Sequence, residues 1–377
     1  WGFSGAPDVL GIFSRSVTIA DSGSGKKQVT STVTWTDTSQ RAQTIALTTY
    51  LSDWLSATTS PWTAANLAGT LDLSGNQNLL RVKSVGNYAY AIRDNTSPNF
   101  VVIDISVSTA PVQVGVLSLS GTPSDITISG NYAYVSSSDN SQELQIVSIA
   151  VPSAPALMGT YNASGNANAR GVAVAGSEAY LVRTQGGDRE FCIVNITTPS
   201  VPTLTGSLDL SDNANSVAVS GSYAYVASSV NTQELQVISI ATPSAPVLLG
   251  GYDVSASSAN ANTVAVSGTT VYLGVASSLY ILNDDVHGTP TIFASLAQGG
   301  TVNDIAIMTG LEYLFIGSSY GSGEFRIVDA TTPATPLFID TVDLSAEANG
   351  VAYNASLDLA VVANSSNSGE AMIITHP

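Results

Sequence analysis

A single cysteine, Cys192, serves 377 residues, so the chain can form no internal disulfide and no thiolate metal cluster. That scarcity suits an extracellular protein that does without disulfides as well as a cytosolic one. Charge is also scarce: Asp, Glu, Lys and Arg make up 10% of the residues, against roughly 25% in an ordinary soluble protein. Basic residues are fewest, 11 against 28 acidic ones for a net charge of -17, and lysine is confined to Lys26, Lys27 and Lys83. A field of that sign repels phosphate backbones and anionic headgroups, which argues against nucleic acid and membrane surfaces as partners. No run approaches the ~20 apolar residues of a membrane span, and no segment of the repeated part has the length and period of an amphipathic helix. EF-hand loops, His-x-x-x-His pairs and Gly-rich phosphate loops are missing, so no cofactor is expected and no motif asks for calcium. The chain opens on Trp1 without Met or a signal peptide, which reads as a processed or trimmed form with any leader, filament segment or anchor upstream.

What is present is a 44% hydrophobic chain whose polar surface is built from Ser, Thr, Asn and Gly. That composition accords with secreted and cell-surface β-proteins. It is also periodic. "SDITISGNYAYVSSS" (124–138), "NSVAVSGSYAYVASS" (215–229) and "NTVAVSGTTVYLGVA" (262–276) are versions of one phrase. Pro111, Pro155, Pro202, Pro246, Pro290 and Pro336 recur 44, 47, 44, 44 and 46 residues apart, each before the last strand of a unit. Each unit reads as four short strands parted by turn residues, such as "SVAVSG", "YAYVASS", "ELQVISIA" and "VLLGGYDVS". Four antiparallel strands in ~45 residues make a propeller blade. Seven first strands can be counted, and the seventh unit ends after its third strand, "AMIITHP". "LAGTLDLSG" (67–75) matches "LTGSLDLSD" (204–212), a fourth strand, and is the expected donor of the missing one. The expected fold is therefore all-β: a seven-bladed β-propeller over 67–377, closed by its N-terminal strand. Ala173, Ala218, Ala265, Ala306 and Ala352 would crowd the axis, with Tyr90, Tyr134, Tyr180 and Tyr225 filling the wedges between blades.

The units resemble the LVIVD-repeat family of β-propellers through "VVIDIS" (101–106), "QIVSIA" (145–150), "CIVNIT" (192–197), "QVISIA" (236–241) and "RIVDAT" (326–331). The resemblance implies a secreted or surface-exposed propeller and brings no shared catalytic apparatus. Blade five departs from it with "YILNDDVHGTP" (280–290).

Residues 1–54 differ in composition. All four tryptophans (Trp1, Trp35, Trp54, Trp62) lie in the first 62 residues, and 55–66 reads as a linker. Three alternating segments, 14–21, 27–37 and 42–54, predict a small antiparallel β-meander. "VTSTVTWTD" with "QTIALTTYLSDW" resembles the terminal strands of type IV pilin-like and pseudopilin proteins; the competing reading is three strands capping one propeller face.

Three places in the sequence carry residue types suited to chemistry. "GSSYG" (317–321) matches a nucleophile-elbow pattern at Ser319, but it lies between two predicted strands, whereas the elbow needs a helix to follow. Asp284, Asp285 and His287 are metal ligands by type, set in the irregular turn of blade five. The rim of the channel is the strongest candidate. One column of the repeat reads Leu80, Ser124, Arg170, Asn215, Asn262, Asn303 and Asn349; the next reads Arg81, Asp125, Gly171, Ser216, Thr263, Asp304 and Gly350. Asn and Asp there are expected to cap turns. The departures are Arg81, Lys83, Asp125 and Arg170, for which two accounts stand: an Arg81–Asp125 bridge between blades, or a pocket for a sugar or carboxylate. With no complete catalytic set, the sequence favours a non-enzymatic surface module of the prokaryotic envelope binding a protein or glycan. The alternative is a hydrolase or lyase at the channel mouth.

Overall fold

The computed structural model describes residues 8–10, 13–21, 26–36, 41–52, 62–75, 77–94, 97–186, 189–254 and 259–377. Every regular element among them is a β-strand. The chain divides into two compact units, Trp1–Thr63 and Ala64–Pro377. The linker expected at 55–66 falls mostly outside the described residues, as do Trp1 and Trp54.

The first unit holds one antiparallel sheet of four strands in sequence order, Asp8–Leu10, Phe13–Asp21, Lys26–Thr36 and Ala42–Ser52. The three expected strands are there, and Asp8–Leu10 adds a short fourth along Phe13–Asp21. Flanked by Gly, Ala and Pro, its three residues gave no alternation from which to foresee it. Cross-strand pairs such as Phe13 and Trp35, ring centroids 6.0 Å apart, are the packing units of this sheet.

The second unit is a propeller of seven four-stranded antiparallel sheets. Six are continuous in sequence, over 79–117, 123–161, 169–208, 214–252, 261–297 and 302–342. The seventh takes three strands from 348–375 and its fourth from Asn66–Leu71, which pairs antiparallel with Ala371–Thr375. The closure expected from "LAGTLDLSG" is the closure observed. Second and third strands are buried along nearly their whole length, on both faces, because neighbouring blades cover them; the third strand of blade five, Ser278–Asn283, is only half buried. Hydrophobic cores accordingly lie between blades. Tyr90, Ile92, Phe100 and Val102 of blade one pack on Ile126, Ala133, Val135 and Val147 of blade two. The cluster that joins Leu79, Val82 and Val101 of blade one to Ala352, Val361 and Ile373 of blade seven completes the ring.

Two backbone devices hold this geometry. The turn between first and second strands places Gly130 at φ 57, in the left-handed region that only glycine visits cheaply. In the fourth strand of blade three, a Cβ on Gly206 would collide with the Pro243 carbonyl of the next blade's loop. Small residues there let the blades approach.

A further repeat position went unread in the sequence. Glu143, Glu190, Glu234, Glu324 and Glu370 each stand just before a third strand and are at most 3% exposed. Each accepts a backbone N–H from beyond the fourth strand, at 2.8–3.0 Å: Ala163, Leu210, Val254, Leu344 and, across the ring closure, Leu73. Asn99 does the same for Leu119 in blade one. The signal was available, since glutamate recurring at one repeat position is conspicuous in a chain so short of charge.

Candidate functional site

Each first strand carries a β-bulge at the same place. The pairing skips from Leu79 to Arg81, Pro123 to Asp125, Ala169 to Gly171, Ala214 to Ser216, Ala261 to Thr263, Val302 to Asp304 and Ala348 to Gly350. The extra residues are Leu80, Ser124, Arg170, Asn215, Asn262, Asn303 and Asn349. A bulge leaves its residue out of the ladder and re-aims the side chain. Here all seven are aimed into one cavity of about 390 Å³ at the mouth of the central channel, together with Arg81, Asn260 and Thr301. The repeat column picked from sequence is thus a ring in space. Asn260 and Thr301 were missed because they precede the first strands, where the repeat varies in length.

The column has a structural task, and it is not turn capping. Asn215 donates from Nδ2 to the Ala261 carbonyl of the next blade at 2.8 Å; Asn303 reaches Ala348 at 3.0 Å and Asn349 reaches Leu79 at 2.8 Å. Ser124 does so with Oγ to Ala169 at 2.7 Å. The next column fastens blades in the opposite sense. Asp125 accepts the Val172 N–H at 3.1 Å and Asp304 the Val351 N–H at 3.0 Å, both from the following blade. In blades three and seven the position is Gly171 and Gly350, where a Cβ would press on the Cα atoms of Ser216 and Arg81.

The charged departures do not form the expected Arg81–Asp125 bridge. Arg81 instead donates to the carbonyls of Leu80 at 2.9 Å, Asn349 at 2.6 Å and Asn303 at 3.3 Å, so it joins blade one to blades six and seven. The carbonyls are nearer than any carboxylate because Asp125 is already turned onto Ile126 and Val172. Lys83 pairs with Asp304 at 3.9 Å beside a second cavity of about 140 Å³ farther down the channel, which Asp125, Arg81 and Arg170 also line. Enclosure by protein raises the Asp125 carboxyl above its ordinary range, against the pull of Lys83 and Arg81. Arg170 is exposed and has no hydrogen-bond or ion-pair partner among the described residues; Asn262 likewise makes no side-chain bond. Farther along the first strands a third cavity is lined by Ile128, Val219, Val266 and Ile307 together with Lys83, Thr127 and Thr309.

Arg81→Ala is expected to lower the melting temperature, because three carbonyls lose a charged donor worth ~1–3 kcal/mol in sum. Calorimetry checks this; an unchanged transition would mean that water replaces the guanidinium without cost.

The other candidates lie elsewhere. Asp284, fully buried, accepts from Tyr225 Oη at 2.9 Å, from His287 Nδ1 at 2.8 Å and from the Gly288 N–H at 3.1 Å. His287 stacks on Tyr223, ring centroids 3.6 Å apart. The cluster therefore ties blade five to blade four. Asp285 turns away, to Thr269 and Asn283. Among the described residues no three His, Cys, Asp or Glu side chains are grouped to hold a metal. Ser319 lies in the loop between strands Tyr313–Ser318 and Phe325–Asp329 and accepts the Thr301 N–H at 2.9 Å. Cys192 is buried, and that burial pushes its thiol up to about 11.

Burial also raises the carboxyls of Glu143 and Glu190. A carboxyl that binds its proton more tightly when folded takes away stability as pH rises through its native value, and that stability is regained below the unfolded value. Relief of the -17 net charge acts in the same direction. The melting temperature should therefore climb as pH is lowered from about 8 to about 5. Below that range Asp104 and Asp139, held under the usual value chiefly by hydrogen bonds from Ser106 and Ser141, reverse the trend. A scan in which the midpoint falls steadily from pH ~8 to ~5 would contradict this.

No curated protein matches the sequence. Solved structures share its fold: the WD40 repeats of RRP9, 12% identical with TM-score 0.63 over 83% of this chain and 97% of that one; a protein from Lactobacillus plantarum, 14% identical with TM-score 0.62 over 84% and 92%; and a functionally unknown protein from Desulfotomaculum acetoxidans, 14% identical with TM-score 0.58 over 85% and 98%. At those identities the likeness is one of fold. The LVIVD repeat matches residues 80–117, 120–163, 166–210 and 212–254, which are blades one to four. The chain is a β-propeller of four-stranded blades that carries LVIVD repeats.

Proposed function

We propose that this protein is a non-enzymatic binding module of the prokaryotic cell surface, which takes a group of a glycan or surface protein into the channel mouth. The observation that carries the reading is the convergence of seven bulged residues on one cavity, where Arg170 and Asn262 have no partner of their own. A repeat that only had to close a ring would keep Asn in every blade; blades one to three do not. The sparse charge and the Ser, Thr and Asn surface support an extracellular setting. The likeness of the first unit's strands to pilin-like proteins supports a role as the exposed head of a minor pilin or pseudopilin. Against turnover stand the uses already made of the channel's charges, with Lys83 on Asp304 and Arg81 on carbonyls. The raised carboxyl of Asp125 beside Lys83 is what favours the alternative, a hydrolase or lyase at the mouth.

A glycan array probed with the full chain and with Asn262→Trp, which fills the mouth, tests the reading. Binding by the native chain and loss in the variant is the expected result. Undiminished binding by a folded Asn262→Trp would move the site elsewhere, and a glycan cleaved during the assay would replace the module with an enzyme.

A further inference from the structure

We infer that the group taken at this mouth is a single carboxylated sugar residue, gripped by Arg170; the inference rests on the binding reading above and narrows it. The chain has 28 acidic residues and 11 basic ones, yet the mouth is lined by two arginines and no acid. The adjoining cavity beneath adds Lys83, Asp125 and Asp304, so three cations face two carboxylates along the channel. A concave site with low-dielectric walls concentrates whatever field its lining creates, and this one keeps a cationic excess in an anionic molecule. Of its two guanidiniums, Arg81 is held by the Asn349 and Asn303 carbonyls and supplies fixed charge. Arg170 has no partner among the described residues, and its planar fork matches a carboxylate with two parallel hydrogen bonds. It stands at a bulge where blades four, six and seven place the Asn that fastens the next blade, and it makes no such fastening.

The rest of the lining suits hydroxyl groups. Asn215, Asn303 and Asn349 each commit Nδ2 to the neighbouring blade, while no protein donor reaches their Oδ1 atoms among the described residues. Those oxygens remain as acceptors. Asn262 offers both halves of its amide, and Leu80 gives one apolar surface for a ring face. A volume of about 390 Å³ is at the small end of ligand sites, which run from about 300 to 1,000 Å³. That is room for one terminal residue of a glycan chain.

Titration calorimetry on the full chain with sodium D-glucuronate, D-glucose and sodium acetate tests this. Glucuronate should saturate one site, with glucose and acetate each at least ~10-fold weaker. Arg170→Gln should weaken glucuronate ~10-fold or more and leave glucose unmoved, with Arg170→Lys between them, as a point charge replaces a fork. Equal melting temperatures for the variants, expected because Arg170 has no protein partner, make loss of binding a local effect. The inference is overturned if glucuronate fails to saturate, if glucose or acetate binds as tightly, or if Arg170→Gln binds as the native chain does. Neutral glycans captured at the mouth, and lost in Asn262→Trp, would sink the acidic sugar while leaving the binding module standing.

Discussion

Excising residues 66–71 should lower the melting temperature by ~5–10 °C and leave blade seven open to exchange with solvent. The reason is geometric. Asn66–Leu71 supplies the outer strand of that blade, with Leu71 opposite Ala371 and Asn66 opposite Thr375. Its loss exposes Ile373 and Ile374, now fully buried, and frees Leu73, whose N–H is held by Glu370 at 2.8 Å. Each such apolar side chain contributes ~1.5–3 kcal/mol through burial, and a transition in a domain of this size moves ~1.5 °C per kcal/mol. Blade seven is also the seam of the ring, since its inner face packs on blade one. A synthetic peptide spanning 64–74, added in trans, should restore part of the loss by adding itself as a strand. A midpoint within ~2 °C of the native one would show that the seam is held by blade packing without its fourth strand.

Arg183→Ala should cost ~3–5 kcal/mol, more than any exposed charge in the molecule. Arg183 is 1% exposed. Its Nη2 donates to Ser164 at 2.7 Å and its Nη1 to the Arg189 carbonyl at 3.3 Å, and Nη2 lies 3.7 Å from Glu143 Oε1 of the preceding blade. That Glu143 oxygen has no hydrogen bond, so the guanidinium is the nearest compensation for its charge. Burial already raises the Glu143 carboxyl, with Arg183 pulling the other way. Without Arg183 the carboxyl should rise further and stability should become more steeply acid-favoured. Glu143→Gln in the same chain should recover much of the loss, because the amide keeps the bond to Ala163 and carries no charge. A double-mutant cycle by denaturant unfolding measures both steps; additive losses would mean that the two residues act independently.

Much of the propeller was legible because its repeat is written in spacing. Turn prolines, the Ser-Gly pair and short β-branched runs are local demands of each blade, and they recur wherever a blade recurs. The closing strand was legible for the same reason: 67–75 matches a fourth strand, and one blade lacked its own. The short strand Asp8–Leu10 was not, since three residues carry no period. The candidate site divides similarly. The column of Asn residues could be found by aligning units, but not its orientation, because a bulge is a property of two strands and is invisible in one. The Arg81–Asp125 bridge failed because complementary charge on adjacent positions says nothing about which backbone groups compete for the same side chains. Here carbonyls of blades six and seven, more than 200 residues away in sequence, take the guanidinium.

Composition and period alone determined that this chain is all-β, that it repeats in units of ~45 residues, and that it must bury apolar strands between those units. Both are averages over many residues, and no single contact can overturn them. Only the tertiary structure decided which charges are spent on holding the ring and which are left facing solvent. Arg81 and Arg170 are the same residue type, one position apart in the repeat, and among the described residues one is bonded three times while the other has no partner. The difference lies in which carbonyls the curvature of the ring brings within ~3 Å, the reach of a hydrogen bond.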